Sequence, residues 1–213
     1  MAKISDIMAE FEEKQIYDRL PDFRRKAADR YHNRADRERS MTAGLLLCFC
    51  MQKRGVSFEE TPCFTEHGKM YFPDCERFYV NLTHGGDYAA CVLASHDVGI
   101  DLEPVRAFRE NVAGRICGKE ELRRLMAEEN EEEKNRYFTR LWTVKESVAK
   151  LSGEGIAMLL QSHRVRKGSK KSSEPAVYTR TYTPAPDYFL SVSSHEEEFP
   201  EQIILLSPKC LVQ

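Results

Sequence analysis

The chain has 213 residues, of which 41% are hydrophobic and 31% are charged. This composition is typical of a folded globular protein and argues against disorder, and the length suffices for one domain or two modest ones. The formal net charge of −2 argues against a nucleic acid as a partner of the whole chain.

The seven cysteines are an odd number and include no Cys-x-x-Cys pair, which favours free thiols in a reducing cytosol over a disulfide framework or a zinc site. The longest apolar run, residues 44–51, is far shorter than the roughly 20 residues that cross a bilayer. Residues 1–6 lack the apolar core of an export signal. We therefore expect a cytoplasmic protein without a membrane partner.

Hydrophobic spacing predicts helices in the first third of the chain and strands after it. The predicted helices cover residues 4–20, residues 21–31 and a segment that starts at residue 36 or 40 and ends at residue 53. The predicted strands cover residues 78–82, 88–94 and 98–102.

The second half has a similar order of elements, without a sequence repeat. Its predicted helices cover residues 111–129 and 137–151, and its predicted strands cover 163–165, 176–183, 188–193 and 202–206. We predict a mobile loop at residues 167–175. Helices followed by antiparallel strands in each half predict an α+β fold.

The segments 98–103 and 141–150 are the most informative. Asp101 and Glu103 share one side of the predicted strand, and Glu146 and Lys150 lie one turn apart on the predicted helix. Solvated strand-end acids and a surface Glu–Lys pair are the ordinary explanations. Because the strand is apolar and we expect Trp142 to be buried, the pattern also fits a site for a hard cation and a phosphorylated ligand.

Two other segments suggest phosphate recognition. Residues 81–86 form a strand that runs into a glycine turn, either as a plain hairpin or as an anion pocket with His84 at its lip. Residues 24–39 contain seven Lys and Arg against three acids, and form either a solvated face or a phosphate-binding patch. Lys69 beside Gly68 adds a cation. We assign no chemistry to the acidic run at 128–133.

Taken together, these segments resemble the 4′-phosphopantetheinyl transferase superfamily, in its surfactin-synthetase-activator branch. The family pattern Gly-[Ile/Val]-Asp-x-Glu corresponds to residues 99–103. The pattern Trp-[Ser/Thr/Cys]-x-Lys-Glu-[Ser/Ala]-x-x-Lys corresponds to residues 142–150. Residues 78–86 resemble the Phe-Asn-[Ile/Leu]-Ser-His-Ser-Gly segment, with Thr83 and Gly85 in place of the two serines. Met70 replaces the proline of Gly-Lys-Pro.

The resemblance implies two similar α+β halves in one monomeric chain, residues 1–100 and 101–213, with the active site in the cleft between them. The implied reaction transfers 4′-phosphopantetheine from coenzyme A to a serine of an apo acyl or peptidyl carrier protein and releases 3′,5′-ADP.

The resemblance also implies residue roles. Asp101, Glu103 and Glu146 would hold Mg²⁺, and the catalytic set would be Asp101, Glu146 and Lys150. Lys150 would neutralise the phosphate under attack, and Glu146 would also accept the serine proton. The implied coenzyme A-binding residues are Lys26, Ser40, Lys69, Thr83, His84 and Lys150. Candidates for the carrier-docking surface are Arg106, Phe108, Arg109, Arg115, Leu122 and Met126.

Two other functions use the same residues. A magnesium-dependent hydrolase or nuclease acting on small phosphoesters would need the three carboxylates but no carrier-docking face. A non-catalytic coenzyme A-binding module would bind the ligand without turning it over.

Overall fold

The computed structural model of the protein describes residues 1–75, 78–155 and 175–211. The chain divides into two compact units: unit 1 comprises residues 1–97 and 200–213, and unit 2 comprises residues 98–199. Both units combine helices with antiparallel strands, so the predicted mixed α+β class is confirmed. Among the described residues, no helix is both long enough and apolar enough to span a bilayer.

Unit 1 begins with a short strand and four helices. These are β1 (Ala2–Lys3), α1 (Ile4–Glu10), α2 (Glu13–Arg19), α3 (Asp22–Ala28) and α4 (Arg34–Arg54). The single helix predicted over residues 4–20 is wrong, because Phe11 and Glu12 adopt extended backbone between α1 and α2. The Gln15 side chain accepts a hydrogen bond from the Glu12 backbone N–H and so starts α2 as a new helix.

Helix α4 forms the centre of unit 1. The Asn33 side chain caps its N-terminus by accepting the N–H groups of Ala35 and Asp36, and Gly55 ends it in the left-handed conformation with φ 66°. The prediction placed the start of this helix a few residues too late. The apolar middle of α4 is buried, and it packs on β5 and on the helices before it.

The strands of unit 1 form two antiparallel sheets. The strands are β2 (Cys63–Phe64), β3 (Met70–Tyr71), β4 (Tyr79–Gly85) and β5 (Tyr88–Ala94). The larger sheet has the order β1-β5-β4, and β2 pairs with β3. The predicted strand at 88–94 is confirmed, and β4 continues three residues beyond the predicted end. The turn between β4 and β5 contains Gly86 at φ 56°, which explains the glycine at this position.

Unit 2 begins with β6 (Val98–Pro104), followed by α5 (Glu110–Ile116), α6 (Lys119–Ala127) and α7 (Glu131–Ser152). The helix predicted over residues 111–129 is two helices, because Cys117 is extended and Gly118 begins α6, where its N–H donates to Glu121. Helix α7 starts six residues before the prediction. Asn130 caps it, and the acidic run supplies three glutamates to its first turn, where the helix dipole favours negative charge.

The sheet of unit 2 has the order β6-β8-β7, with β7 at Tyr178–Tyr182 and β8 at Tyr188–Ser194. Helix α7 packs across β6 and β8. Two buried hydroxyl pairs join α7 to β8, Thr143 with Ser191 at 2.9 Å and Ser147 with Ser193 at 2.7 Å. These polar contacts satisfy hydroxyl groups in the interior and fix the register of the helix on the sheet.

One predicted strand of the second half is wrong. Residues 202–206 are irregular, and the last described helix, α8, is Pro208–Leu211 in unit 1. Among the described residues, backbone hydrogen bonds run from the Leu206 N–H to the Met1 carbonyl and from the Met1 amine to the Ile204 carbonyl, and these do not make a strand ladder. The strand predicted at 163–165 and nearly all of the loop predicted at 167–175 lie outside the described residues.

Candidate active site

Strand β6 and helix α7 bring four of the predicted site residues together within unit 2. Asp101 lies in the middle of β6 and is only 4% exposed. The Lys150 ammonium of α7 donates to Asp101 Oδ1 at 2.7 Å. A lysine that pairs with a buried aspartate is held in place rather than free in solvent, so this ion pair fixes a positive charge beside the strand.

Glu103 lies two residues further along β6, on the same side as Asp101. Its carboxylate pairs with the Arg106 guanidinium and accepts a hydrogen bond from the Trp142 side chain. Burial and the neighbouring charge of Asp101 raise the pKa of Glu103 to about 7, against the opposing effects of Arg106, Lys150 and Trp142. Glu103 therefore exchanges its proton near neutral pH.

Glu146 lies on α7, one turn before Lys150. Burial and, next, the charge of Asp101 raise its pKa to about 7, and the nearby Lys150 ammonium only partly offsets these effects. Both glutamates thus respond to the charge of Asp101. At neutral pH the protonated and charged forms of these two carboxyl groups are similar in free energy. The two groups lie near the Lys150 ammonium, and they can accept a proton or bind a cation.

These residues are not arranged as a ready-made metal site. Across residues 1–75, 78–155 and 175–211, no group of three or more His, Cys, Asp or Glu side chains is placed to hold a metal ion. In this structure Asp101 is paired with the Lys150 ammonium. The donor set nevertheless suits a hard cation, because Asp101, Glu103 and Glu146 supply carboxylate oxygens that repel one another electrostatically.

A mainly apolar pocket opens beside Glu103 within unit 2. Its walls are formed by Glu103, Arg106, Ala107, Arg109, Val112, Phe138, Thr139 and Trp142. We expected Trp142 to be buried, and the structure shows it half-buried, because one part of the indole lines this pocket. The sequence pattern gave no sign of the pocket, since its walls come from β6, α5, α7 and the segment that follows β6.

Unit 1 contains the predicted nucleotide-binding residues. Lys26 is an exposed residue of α3 that pairs with Asp22 at 2.6 Å, and Lys69 pairs with Asp97 at 2.7 Å. Ser40 lies on α4 and is 3% exposed. In the structure both lysines therefore form ion pairs within unit 1, and Ser40 is buried in the interior of the unit.

The two predicted phosphate contacts on β4 differ in exposure. Thr83 is buried opposite Ala90 of β5, and His84 is exposed opposite Ala89. The Arg39 Nε donates to the Gly86 carbonyl at 3.0 Å, so the start of α4 is tied to the turn that follows these two residues.

The basic segment at 24–39 is less positive than its composition suggests. Five of its cations are paired with acids, namely Arg25 and Lys26 with Asp22, Arg34 with Glu38, Arg37 with Glu13 and Asp29, and Arg39 with Asp36. Sequence reasoning missed the role of Arg24, which is largely buried and donates to the Ser40 carbonyl at 2.7 Å. Burial lowers the pKa of Arg24. Because Arg24 and Ser40 lie on different helices, their separation in the sequence did not indicate this contact.

The six docking candidates fall into two groups. Arg106, Arg109, Arg115 and Met126 are exposed. Phe108 and Leu122 instead pack against the apolar cluster around Phe138, and the Phe108 ring makes an edge contact with Phe138 at a centroid distance of 5.5 Å. A surface formed by the exposed group would be basic with one apolar side chain.

Known proteins match most of the chain, and a family model matches the region of unit 2. A sequence model of the 4′-phosphopantetheinyl transferase superfamily matches residues 97–204. The 4′-phosphopantetheinyl transferase Sfp of Bacillus subtilis (strain 168) is 27% identical over 197 residues, 86% of each chain. The 4′-phosphopantetheinyl transferase psf-1 of Bacillus pumilus is 26% identical over 193 residues, 86% of this chain and 82% of that protein.

A further bacterial protein matches a shorter part of the chain. A putative 4′-phosphopantetheinyl transferase of Haemophilus influenzae is 29% identical over 145 residues, which cover 64% of this chain and 60% of that protein. The family match includes β6 and α7 with the four residues described above. The resemblance found in the sequence is thus confirmed: the chain belongs to the 4′-phosphopantetheinyl transferase superfamily, in its Sfp-type branch.

Proposed function

We propose that this chain transfers 4′-phosphopantetheine from coenzyme A to a serine hydroxyl of an apo acyl or peptidyl carrier protein and releases 3′,5′-ADP. The observation that carries the proposal is the Lys150 ammonium at 2.7 Å from Asp101, with Glu103 and Glu146 acting electrostatically on the same pair. The names of the relatives support the same reaction.

The reaction needs charge control more than covalent help. The serine oxygen forms a bond to the phosphorus that carries pantetheine, the bond from that phosphorus to the bridging oxygen breaks, and 3′,5′-ADP leaves with the electron pair. Lys150 would hold positive charge against the phosphate under attack. Glu146 would accept the serine proton.

We also propose that Asp101, Glu103 and Glu146 hold Mg²⁺ when coenzyme A binds. The donor set fits such an ion by its chemistry, because burial and mutual repulsion raise the pKa values of both glutamates and a divalent cation would offset the repulsion. The ion would supply charge neutralisation on the pyrophosphate.

For the rest of coenzyme A we propose contacts from further residues of the chain. The nucleotide end would be bound by Lys26, Ser40, Lys69, Thr83 and His84, with Lys150 on the phosphate. Support comes from the Arg24–Ser40 and Arg39–Gly86 hydrogen bonds, which fix the start of α4. We propose that the halves are residues 1–100 and 101–213, similar in fold, and that the enzyme acts as a cytoplasmic monomer.

The pocket beside Glu103 suits the pantetheine arm. Its apolar walls include Phe138 and Trp142, and Arg106 and Arg109 line it together with Glu103. An arm of alternating methylene and amide groups can place its carbon chain on the aromatic walls while the phosphate that carries it stays beside the acids.

The test is incubation of the protein with Mg²⁺, coenzyme A and an apo carrier protein, followed by the intact mass of the carrier. We expect the carrier to gain the mass of one phosphopantetheinyl group. Glu146→Gln should abolish the gain. Glu133→Gln, which changes an exposed acid in the first turn of the same helix, is the matched control and should keep it.

The other outcomes separate the alternatives. Release of free phosphopantetheine without a carrier product would identify a hydrolase. Protection against heat by coenzyme A without any turnover would identify a binding module. Each of these two results contradicts the transferase proposal. Two or three different apo carriers in parallel would identify which class of carrier is served.

A further inference from the structure

Two cysteines outside the candidate active site lie in direct contact in unit 1. Cys50 is on α4, Cys91 is on β5, and their sulfur atoms are 3.4 Å apart. They are 41 positions apart in sequence, and both are free thiols with partly exposed side chains. Because α4 packs on β5, the contact is set by the packing of two regular elements and not by a loop.

The contact lowers the pKa of one thiol of the pair and raises that of the other. The hydrogen bond with Cys91 lowers the pKa of the Cys50 thiol. The hydrogen bond with Cys50 and burial raise the pKa of the Cys91 thiol well above its ordinary value, and the nearby Met1 ammonium and Arg24 guanidinium only partly offset this. Cys50 is therefore the thiol of the pair that ionises more readily, and the thiolate is the form that reacts with oxidants.

The other cysteines have different environments and provide an internal comparison. Cys48 and Cys117 are buried, and burial raises the pKa of each to about 11. Cys63 and Cys210 are exposed. Cys48 is especially useful, because it lies on α4 only two residues before Cys50 but its thiol faces the Arg19 carbonyl at 4.0 Å.

We propose that Cys50 and Cys91 form a site of reversible oxidation that closes to an intramolecular disulfide in the presence of a peroxide. The Cys50 thiolate attacks one oxygen of hydrogen peroxide, the O–O bond breaks, and the departing hydroxide takes up the proton that the thiol had released, which leaves a sulfenic acid and one water. The Cys91 sulfur then displaces the hydroxyl from Cys50, which forms the S–S bond and releases a second water. Two thiols lose two electrons and two protons, and the peroxide is reduced to two waters.

The disulfide would join the helix that carries Ser40 to the strand that pairs with Thr83. It would close a long loop between α4 and β5, and such a cross-link restricts the unfolded chain. We therefore expect the oxidised protein to melt roughly 5–10 °C above the reduced protein, with the difference removed by dithiothreitol. The effect does not depend on the proposed transferase activity.

The experiment titrates the full reduced chain with hydrogen peroxide and analyses it by intact mass and non-reducing tryptic mapping. We expect a loss of two hydrogen atoms per chain and a cross-link between peptides 40–53 and 78–106, whose ends follow from the Lys and Arg positions. Cys50→Ser and Cys91→Ser should each lose the cross-link. Cys48→Ser, on the same tryptic peptide as Cys50, should keep it.

Three results would overturn the proposal. One is a cross-link that survives in Cys50→Ser or disappears in Cys48→Ser. Another is wild-type protein in which Cys63 or Cys210 is oxidised while the 40–53 and 78–106 peptides stay reduced. The third is oxidation of Cys50 to the sulfinic acid without a disulfide. The second and third results are obtained with the wild-type protein, so the test remains decisive even if a variant fails to fold.

Discussion

The backbone of Gly99 in β6 lies directly against the backbone of Ser147 in α7. A Cβ atom at position 99 would lie 2.1 Å from the Ser147 carbonyl oxygen and 2.4 Å from the Leu151 nitrogen. Helix backbone cannot move away from a single added methyl group without shifting the whole helix. The absence of a side chain at Gly99 therefore sets the distance between the strand that carries Asp101 and the helix that carries Glu146.

We predict that Gly99→Ala destabilises unit 2 and disrupts the site. Overpacking of this kind costs typically about 1–3 kcal/mol, and here the clashing atoms are backbone. The urea unfolding midpoint and the melting temperature are the measurements. Gly114→Ala is the matched control, because no atom lies within 4 Å of a Cβ at that helical position and alanine favours helix over glycine. Equal stability of the two variants would contradict this account of the packing.

The same contact shows what the sequence could predict. Apolar spacing found β5 and β6, and the motif predicted that Asp101, Glu103, Glu146 and Lys150 belong together, because strand and helix periodicity are local properties. The close approach at Gly99 is not local. Neither is the Arg24–Ser40 hydrogen bond, which joins two helices whose packing no local pattern encodes.

The helix breaks that the prediction missed have local causes, but these causes are not apolar periodicity. The breaks at Phe11–Glu12 and at Cys117–Gly118 occur where side-chain caps compete with continuing the helix, and apolar periodicity does not register caps. The charge of the basic segment was overestimated because five of its cations pair with acids, two of which, Asp22 and Glu13, precede the segment in the chain.

We predict that Asp101→Asn lowers the pKa of both Glu103 and Glu146. The charge of Asp101 is the second cause, after burial, that raises each of these values, so each should fall from about 7 but stay above 4.5. Carboxyl ¹³C NMR titration measures both. Asp187→Asn is the control, because Asp187 is an acid of unit 2 paired with Arg136 at 2.7 Å, and it should leave both values unchanged. Unchanged values in Asp101→Asn would refute the coupling.

The stability of the metal-free protein should depend on the same two glutamates. Their pKa values are about 7 in the folded protein against 4.5 for the free side chains, so the folded state binds more protons between these limits. This contribution to stability is therefore present at low pH and is lost as the pH rises from about 4.5 to 7.

Melting temperatures measured from pH 5 to pH 8 check this dependence. Glu146→Gln should flatten the decline, since glutamine does not titrate. Added Mg²⁺ should stabilise the protein more at pH 8 than at pH 6, because the ion competes with protons for the same oxygens. If the melting temperature declines equally with pH in the wild-type protein and in Glu146→Gln, other groups cause the decline.

Lys150→Ala should reduce turnover more than it weakens coenzyme A binding. A cation that acts on charge developing at the reacting phosphate contributes about 10²–10³-fold in kcat, while the nucleotide contacts remain. Lys145→Ala is the matched control, because Lys145 is also an ion-paired lysine of α7, bonded to Glu121 at 3.0 Å, but away from Asp101. A rise in KM for coenzyme A with unchanged kcat in Lys150→Ala would contradict the assigned role.

The protein contains one tryptophan, and its fluorescence should report the protonation of Glu103. The Trp142 side chain donates a hydrogen bond to the Glu103 carboxyl, and indole emission depends on whether this acceptor is charged. We expect the emission to change with an apparent pKa of about 7, the value that burial and the charge of Asp101 give to Glu103. Glu103→Gln should remove the transition. Glu121→Gln, which changes an acid bonded to Lys145, should keep it.

The same fluorescence transition tests whether Glu103 holds the metal ion. If it does, Mg²⁺ should shift the transition to lower pH. A transition that Mg²⁺ leaves in place would exclude Glu103 from the metal site.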